Sequence, residues 1–275
     1  MALDLSSVRA KLAHSAKHAQ SVRDECIAWG QRNPYSVLQK MNAESTRCAI
    51  TVHINELPPL NNWSLTIGDC LYSLRCFLDH LVYAIACHEA SPAIPAYEGK
   101  LQFPITTCKA DFDDAVARRR QLGAISDPVR AEIERYQPYN RPHPHVPPLL
   151  SILQELSNWD KHRLLRMATK GMFRGQVGMD FSRADPPVMD GDFQFTPTSS
   201  PEIEDGTEIG AITFGRPTAN VYFDITVFDF VIAIRHSKRD ATTPVGGDLS
   251  EFSAFLTLLS EEIRTIIYAV SAKVN

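Results

Sequence analysis

Arg75 and His80 stand five residues apart in "LYSLRCFLDHLVYAIA", residues 71 to 86, a stretch that is otherwise largely apolar. An arginine and a histidine together suit cleavage at a phosphodiester. The guanidinium can grip the phosphate and offset charge as it builds, and the imidazole can shuttle a proton near neutral pH. RNA supplies its own nucleophile in the 2′-hydroxyl, so such a reaction needs no metal. On a helix, five steps of 100° set Arg75 and His80 about 140° apart. Convergence on one phosphate therefore requires the long reach of arginine, a distorted helix or a dimer partner. Asp79 follows Arg75 by four residues and can pair with it directly. The competing reading is an Arg75–Asp79 pair that anchors a buried helix, with His80 packed beside it.

A second constellation is "NWDKHR", residues 158 to 163. Asn158 and His162 share the polar face of a helix, while Asp160 and Arg163 project toward its apolar face. Charges there are costly unless paired, so Asp160 is expected to meet Arg163, or to reach across to Arg75 or His80. In the functional version the two helices line one polar pocket, and Asn158, Asp160, Lys161, His162 and Arg163 hold an anionic ligand. Asp79, His80, Asp160 and His162 would be chemically adequate for zinc or manganese. Their DH and DxH spacings lack the i, i+4 pair of a helical zinc motif, so no metal or other cofactor is expected. The histidines of "RPHPH" read as surface residues, and "ARRRQ" at 117 to 121 as a basic helix end. P-loop, GxGxxG and GxSxG patterns are all absent from the sequence.

These residues need elements to carry them. Over 275 residues, 28 basic and 32 acidic side chains give a net charge of −4, which argues against a nucleic-acid-coating protein and leaves room for a local basic patch. No uninterrupted apolar run is long enough for a bilayer, and the first twenty residues lack signal-peptide order, so a cytoplasmic protein without membrane contact is expected. Six cysteines without paired spacing read as reduced core residues.

Residues 5 to 30 form a first helix, ended by "RNPY". "RCAITVHINEL", 47 to 57, alternates as a strand, with Cys48, Ile50, Val52 and Ile54 on its apolar side. From about Asn62 to Ala90 runs a long helix with Ile67, Leu74, Phe77, Leu78, Leu81, Val82 and Ile85 on one face. Tyr72, Cys76, Tyr83 and Cys87 make its reverse side semi-apolar, so it is expected to pack on both sides. Short helices are expected over 109 to 122 and 127 to 136, and a longer one over 148 to 167. Beyond Met167 come strand candidates "KGMFRGQVGMDF", "DFQFTP", "EIGAITFG" and "VYFDITVFDFVIAI", the last expected near the middle of a sheet. "DLSE" at 248 to 251 reads as the cap of a final helix. The whole is an α+β protein: a helical, bundle-like N-terminal part with a mostly antiparallel sheet and a closing C-terminal helix. It is read as one domain over 1–275, with possible subdomains dividing near residue 168.

Two resemblances attach to these motifs. "LTIGDCLYSLRCFLDHLVYAIA", "FPI" at 103 to 105, "QPY" at 137 to 139 and "LSNWDKHRLL" at 156 to 165 together resemble a family of uncharacterised bacterial proteins, which implies no particular activity. The R-x4-H on a helix is similar, more loosely, to HEPN proteins, which include metal-independent ribonucleases. That likeness implies Arg75 and His80 as a catalytic pair, RNA or a nucleotide as ligand, and composite sites across a homodimer. Here Cys76 follows the arginine where the commonest HEPN form has a polar residue, and the β-rich half differs from a minimal HEPN bundle. Two functions are thus expected as alternatives. One is a HEPN-like ribonuclease or phosphate-ligand binder, with Arg75 as clamp, His80 as acid or base and Asp79 or Asp160 orienting them. The other is a noncatalytic binding or interaction protein in which the cluster only pairs buried helices.

Overall fold

The computed structural model describes residues 3–91, 93–141, 148–161, 163–172, 177–180, 182–189, 191–198, 203–225, 229–235 and 249–274. It is an α+β protein whose contacts divide into two compact units that follow space rather than chain order. The first unit takes Met1–Asp24, Asn61–Arg166 and Ser253–Asn275; the second takes Glu25–Leu60 and Met167–Phe252.

In the first unit, α1 (Ser6–Gly30) supplies most of its length, and α2 (Leu60–Ala90) all but its first residue. α3 (Lys109–Ala117), α4 (Asp127–Arg135), α5 (Leu149–Asp160) and α6 (Phe252–Ser271) complete it. The apolar face anticipated for α2 is buried in full: Ile67, Leu74, Phe77, Leu78, Leu81, Val82 and Ile85 are at most 1% exposed. α2 is long and apolar enough to cross a bilayer by length and composition alone, yet 56% of its most apolar window is buried within the protein. Its reverse side is not packed as expected. Leu65, Tyr72 and Tyr83 are 56%, 51% and 39% exposed, and Cys76 and Cys87 are half-buried.

Small side chains join α1 to α2. Ser15 Oγ donates to the Cys70 carbonyl at 3.2 Å, and Cys70 Sγ to the Ser15 carbonyl at 3.5 Å. Burial pushes the Cys70 thiol up to about 11, so it stays protonated. Two helices end earlier than the periodicity suggests. α3 stops at Ala117, where the Arg118 and Arg119 N–H groups both donate to the Asp114 carbonyl and Arg120 turns to a φ of 59°. α5 stops at Asp160, and the chain beyond it is held by Ser64 Oγ donating to the Leu165 carbonyl at 3.1 Å.

The second unit carries nine antiparallel strands among the described residues. β1 (Tyr35–Met41), unforeseen in the sequence, pairs with β2 (Arg47–Ile54). β2 pairs in turn with β6 (Glu208–Phe214), and β6 with β5 (Phe193–Pro197), giving the order β1-β2-β6-β5. The early strand thus joins the later sheet, and Cys48, Ile50 and Val52 of β2 pack with Ile203, Ile209, Ile212 and Phe214.

The two long strand candidates are each divided. β3 (Met167–Met172) pairs with β8 (Asp229–Arg235), whereas β4 (Val177–Asp180) pairs with β7 (Tyr222–Ile225). The register of the two pairs, Met172↔Asp229 in one and Val177↔Ile225 in the other, differs by one residue. β8 is the middle strand of three and β7 is one of two. "DLSE" is also corrected. β9 (Leu249–Glu251) pairs with β8 and α6 begins only at Phe252, while Asp248 lies outside the described residues.

Phe77 is fully buried on α2. Phe77→Ala is expected to cost about 3–5 kcal/mol, read as a lower urea midpoint with an unchanged slope.

Candidate functional site

The site builds outward from a backbone problem. Residues 101–106 belong to neither helix nor strand, yet Leu101, Phe103 and Thr106 are buried. Peptide groups buried outside regular structure need side-chain or water partners. Arg75 and Asp79, one turn apart on α2, grip Phe103 by its backbone. The Phe103 N–H donates to Asp79 Oδ1 at 2.9 Å, and Arg75 Nη2 donates to the Phe103 carbonyl at 2.8 Å. Arg75 Nη1 closes the ring by donating to the same Asp79 oxygen at 2.5 Å. Arg75 Nε donates to Gln154 Oε1 of α5 at 3.2 Å, and Gln154 Nε2 donates to Asn158 Oδ1 at 3.3 Å.

Gln137 holds the other end of the segment. Fully buried, it accepts from the Thr106 N–H at 2.9 Å and donates to the Pro104 carbonyl at 2.9 Å. "FPI", "QPY" and the Arg and Asp of "LRCFLDH" are therefore parts of one hydrogen-bonded arrangement. The Arg75 side chain is 13% exposed, and each of its three nitrogens has a protein acceptor.

The other sequence-selected residues lie elsewhere. His80 is half-exposed, and its helical position puts it on the strip of α2 that carries Tyr72, Cys76 and Tyr83, away from the guanidinium. Asp160 does not pair with Arg75 or Arg163 as expected. Its carboxylate lies against Gly68 of α2, where a Cβ would overlap it. Burial, with Asp69 nearby, pushes the Asp160 carboxyl above the usual carboxylate range. Arg163 instead stacks over the Trp159 ring at 5.0 Å. Asn158 and Lys161 are exposed, and His162 lies outside the described residues.

The structure thus unites Arg75, Asp79, Gln154 and Asn158, and leaves His80, Asp160, Lys161 and Arg163 outside that hydrogen-bonded group. Gln154 was not singled out from the sequence, and Gln137 and Gly68 entered it only as members of the "QPY" and "GD" motifs, without a role. Gly68 had a signal, because a glycine inside an apolar helix costs about 1 kcal/mol relative to alanine and needs a packing reason. Among the described residues, no three of His, Cys, Asp and Glu are placed to share a metal. Set against known protein-family models, curated proteins and solved structures, the chain matches none.

Three outcomes follow from this geometry. Arg75→Met, which strands the Phe103 carbonyl and the Asp79 charge, should cost about 2–4 kcal/mol in urea denaturation. Arg75→Lys should recover only part, since an ammonium cannot reproduce three fixed directions. Gly68→Ala should destabilise by about 1–3 kcal/mol through overpacking, against the usual helical gain, and Asp160→Ala should relieve it in a double-mutant cycle.

The third outcome concerns pH. A carboxyl whose folded pKa is raised favours the fold while protonated, and that contribution is lost as pH rises through the folded value. Asp160→Asn should therefore raise the thermal midpoint at neutral pH. The gain should vanish once pH falls below the ordinary value of 3.8.

Proposed function

We propose that this is a noncatalytic binding or interaction protein in which Arg75 and Asp79 clamp the 101–106 segment between helices. The observation that carries this reading is the engagement of the arginine: Nε, Nη1 and Nη2 each already donate one hydrogen bond to a protein oxygen. A phosphate clamp needs at least two of those donors turned toward the ligand. Freeing them would strand the Phe103 carbonyl and leave Asp79 without its cation, so the clamp and the ligand site compete for the same atoms.

The placement of His80 adds support. Its position on α2 is about 140° around the helix from Arg75, on the strip that also carries exposed Tyr72 and Tyr83. Within one chain the two groups would not meet at a scissile phosphate, where a general acid or base needs hydrogen-bond reach. A HEPN-like composite site would have to draw on a second copy, with Arg75 first released from Phe103.

The deciding assay incubates purified protein with mixed RNA in chelator, comparing wild type with a folded His80→Ala variant. Equal inactivity of both is the expected result. Cleavage by the wild type that His80→Ala abolishes would overturn the proposal and restore the metal-independent ribonuclease.

A further inference from the structure

We infer that His14 and His18 form a two-histidine chelate for a late first-row divalent transition-metal ion, with nickel(II) or copper(II) preferred by geometry to zinc(II). The two residues lie one turn apart on α1, in the i, i+4 spacing that puts two imidazoles on one helix face. Their Nε2 atoms converge to 3.0 Å, with ring planes at 87° and centroids 4.5 Å apart. Without a metal, that contact requires one ring to present Nε2–H and the other a lone pair. With both Nε2 atoms deprotonated, two imidazole lone-pair donors stand 3.0 Å apart on one face of the helix.

The separation selects the ion. Metal–imidazole bonds of about 2.0–2.1 Å across a 3.0 Å gap subtend about 95° at the metal. That is close to the right angle of tetragonal and octahedral centres, and narrower than the tetrahedral angle zinc favours. The order of divalent affinities runs the same way, with copper above nickel. His14 is exposed and His18 half-exposed, so water can complete the coordination sphere.

The turn that carries them is also held in place. Ser15, next to His14, is 3% exposed and bonds to the Cys70 carbonyl of α2. The chelate is therefore presented by a packed helix rather than a fraying one, which lowers the ordering cost of binding. Lys11 and Lys17 are near in sequence, and their charge opposes a cation. The pair of strong donors at chelating distance must overcome that repulsion.

Nickel chloride titrated calorimetrically into the full chain tests the site. One ion per wild-type chain is expected, with affinity falling roughly 100-fold in either His14→Ala or His18→Ala, because one imidazole loses the chelate effect. Saturating nickel should raise the thermal midpoint of the wild type by a few degrees, as ligands of the native state do, and leave both variants unmoved. Circular dichroism establishes that the variants fold, as their exposed positions predict. No binding by the wild type, or equal binding by wild type and both variants, overturns the assignment. Equal binding would place the ion on other histidines or on cysteine.

Discussion

A buried stretch of chain that belongs to no sheet must find partners for its peptide groups among side chains, and residues 101–106 impose that demand on the helical unit. Phe103 is fully buried, and its N–H and C=O are met by an aspartate and an arginine that also meet each other. Gln137 serves Pro104 and Thr106 in the same way from the end of α4. Removing any one of these side chains leaves a desolvated donor or acceptor, a larger loss than the modest net gain of making the bond. The two halves of the arrangement come from helices far apart in sequence, so the segment ties α2 to the region after α4.

The same residue types can be a catalytic pair or a clamp, and occupancy decides which. A guanidinium that binds substrate keeps its fork open to a cleft. Arg75 turns its fork into the protein and divides it among a carboxylate, an amide oxygen and a backbone carbonyl. Asp160 shows the converse case, a carboxylate seated on a glycine with no ion-pair partner among the described residues, whose pKa rises because burial disfavours its charge. Charged residues on an apolar face therefore reached three different settlements here: an ion pair, a ring face under Arg163 and a raised pKa.

The β-rich unit follows a different logic. β2 works because alternation and pairing agree: its apolar set faces the cluster with Ile209, Ile212 and Phe214, and its register with β1 runs unbroken from Tyr35↔Ile54 to Met41↔Cys48. Beyond Met167 the pairing does not keep one register: β3 with β8 and β4 with β7 are one residue out of step and belong to separate sheets. β9 illustrates how close the competition is. A segment that reads as a helix cap is drawn into pairing with Ala233–Arg235 just before α6 begins.

What the sequence determined by itself is what depends on local periodicity. The buried face of α2, the alternation of β2, the apolar stripe of α6 (Phe252, Phe255, Leu256, Leu259, Ile263 and Ile266, all buried) and the α+β class all follow from side chains recurring at 3.6 or 2 residues. That signal needs no knowledge of the neighbour. The Arg75–Asp79 pair was legible for the same reason, being one turn apart. The tertiary structure alone decided whom the polar groups serve. Nothing in the composition of "FPI" announces that the backbone of Phe103 will be the third partner of that pair. Nor does "NWDKHR" reveal that Asp160 settles on Gly68 while Arg163 finds Trp159. A peptide group looks the same at every position of a chain. Its need for a side-chain partner arises only when folding buries it beyond the reach of water and regular structure.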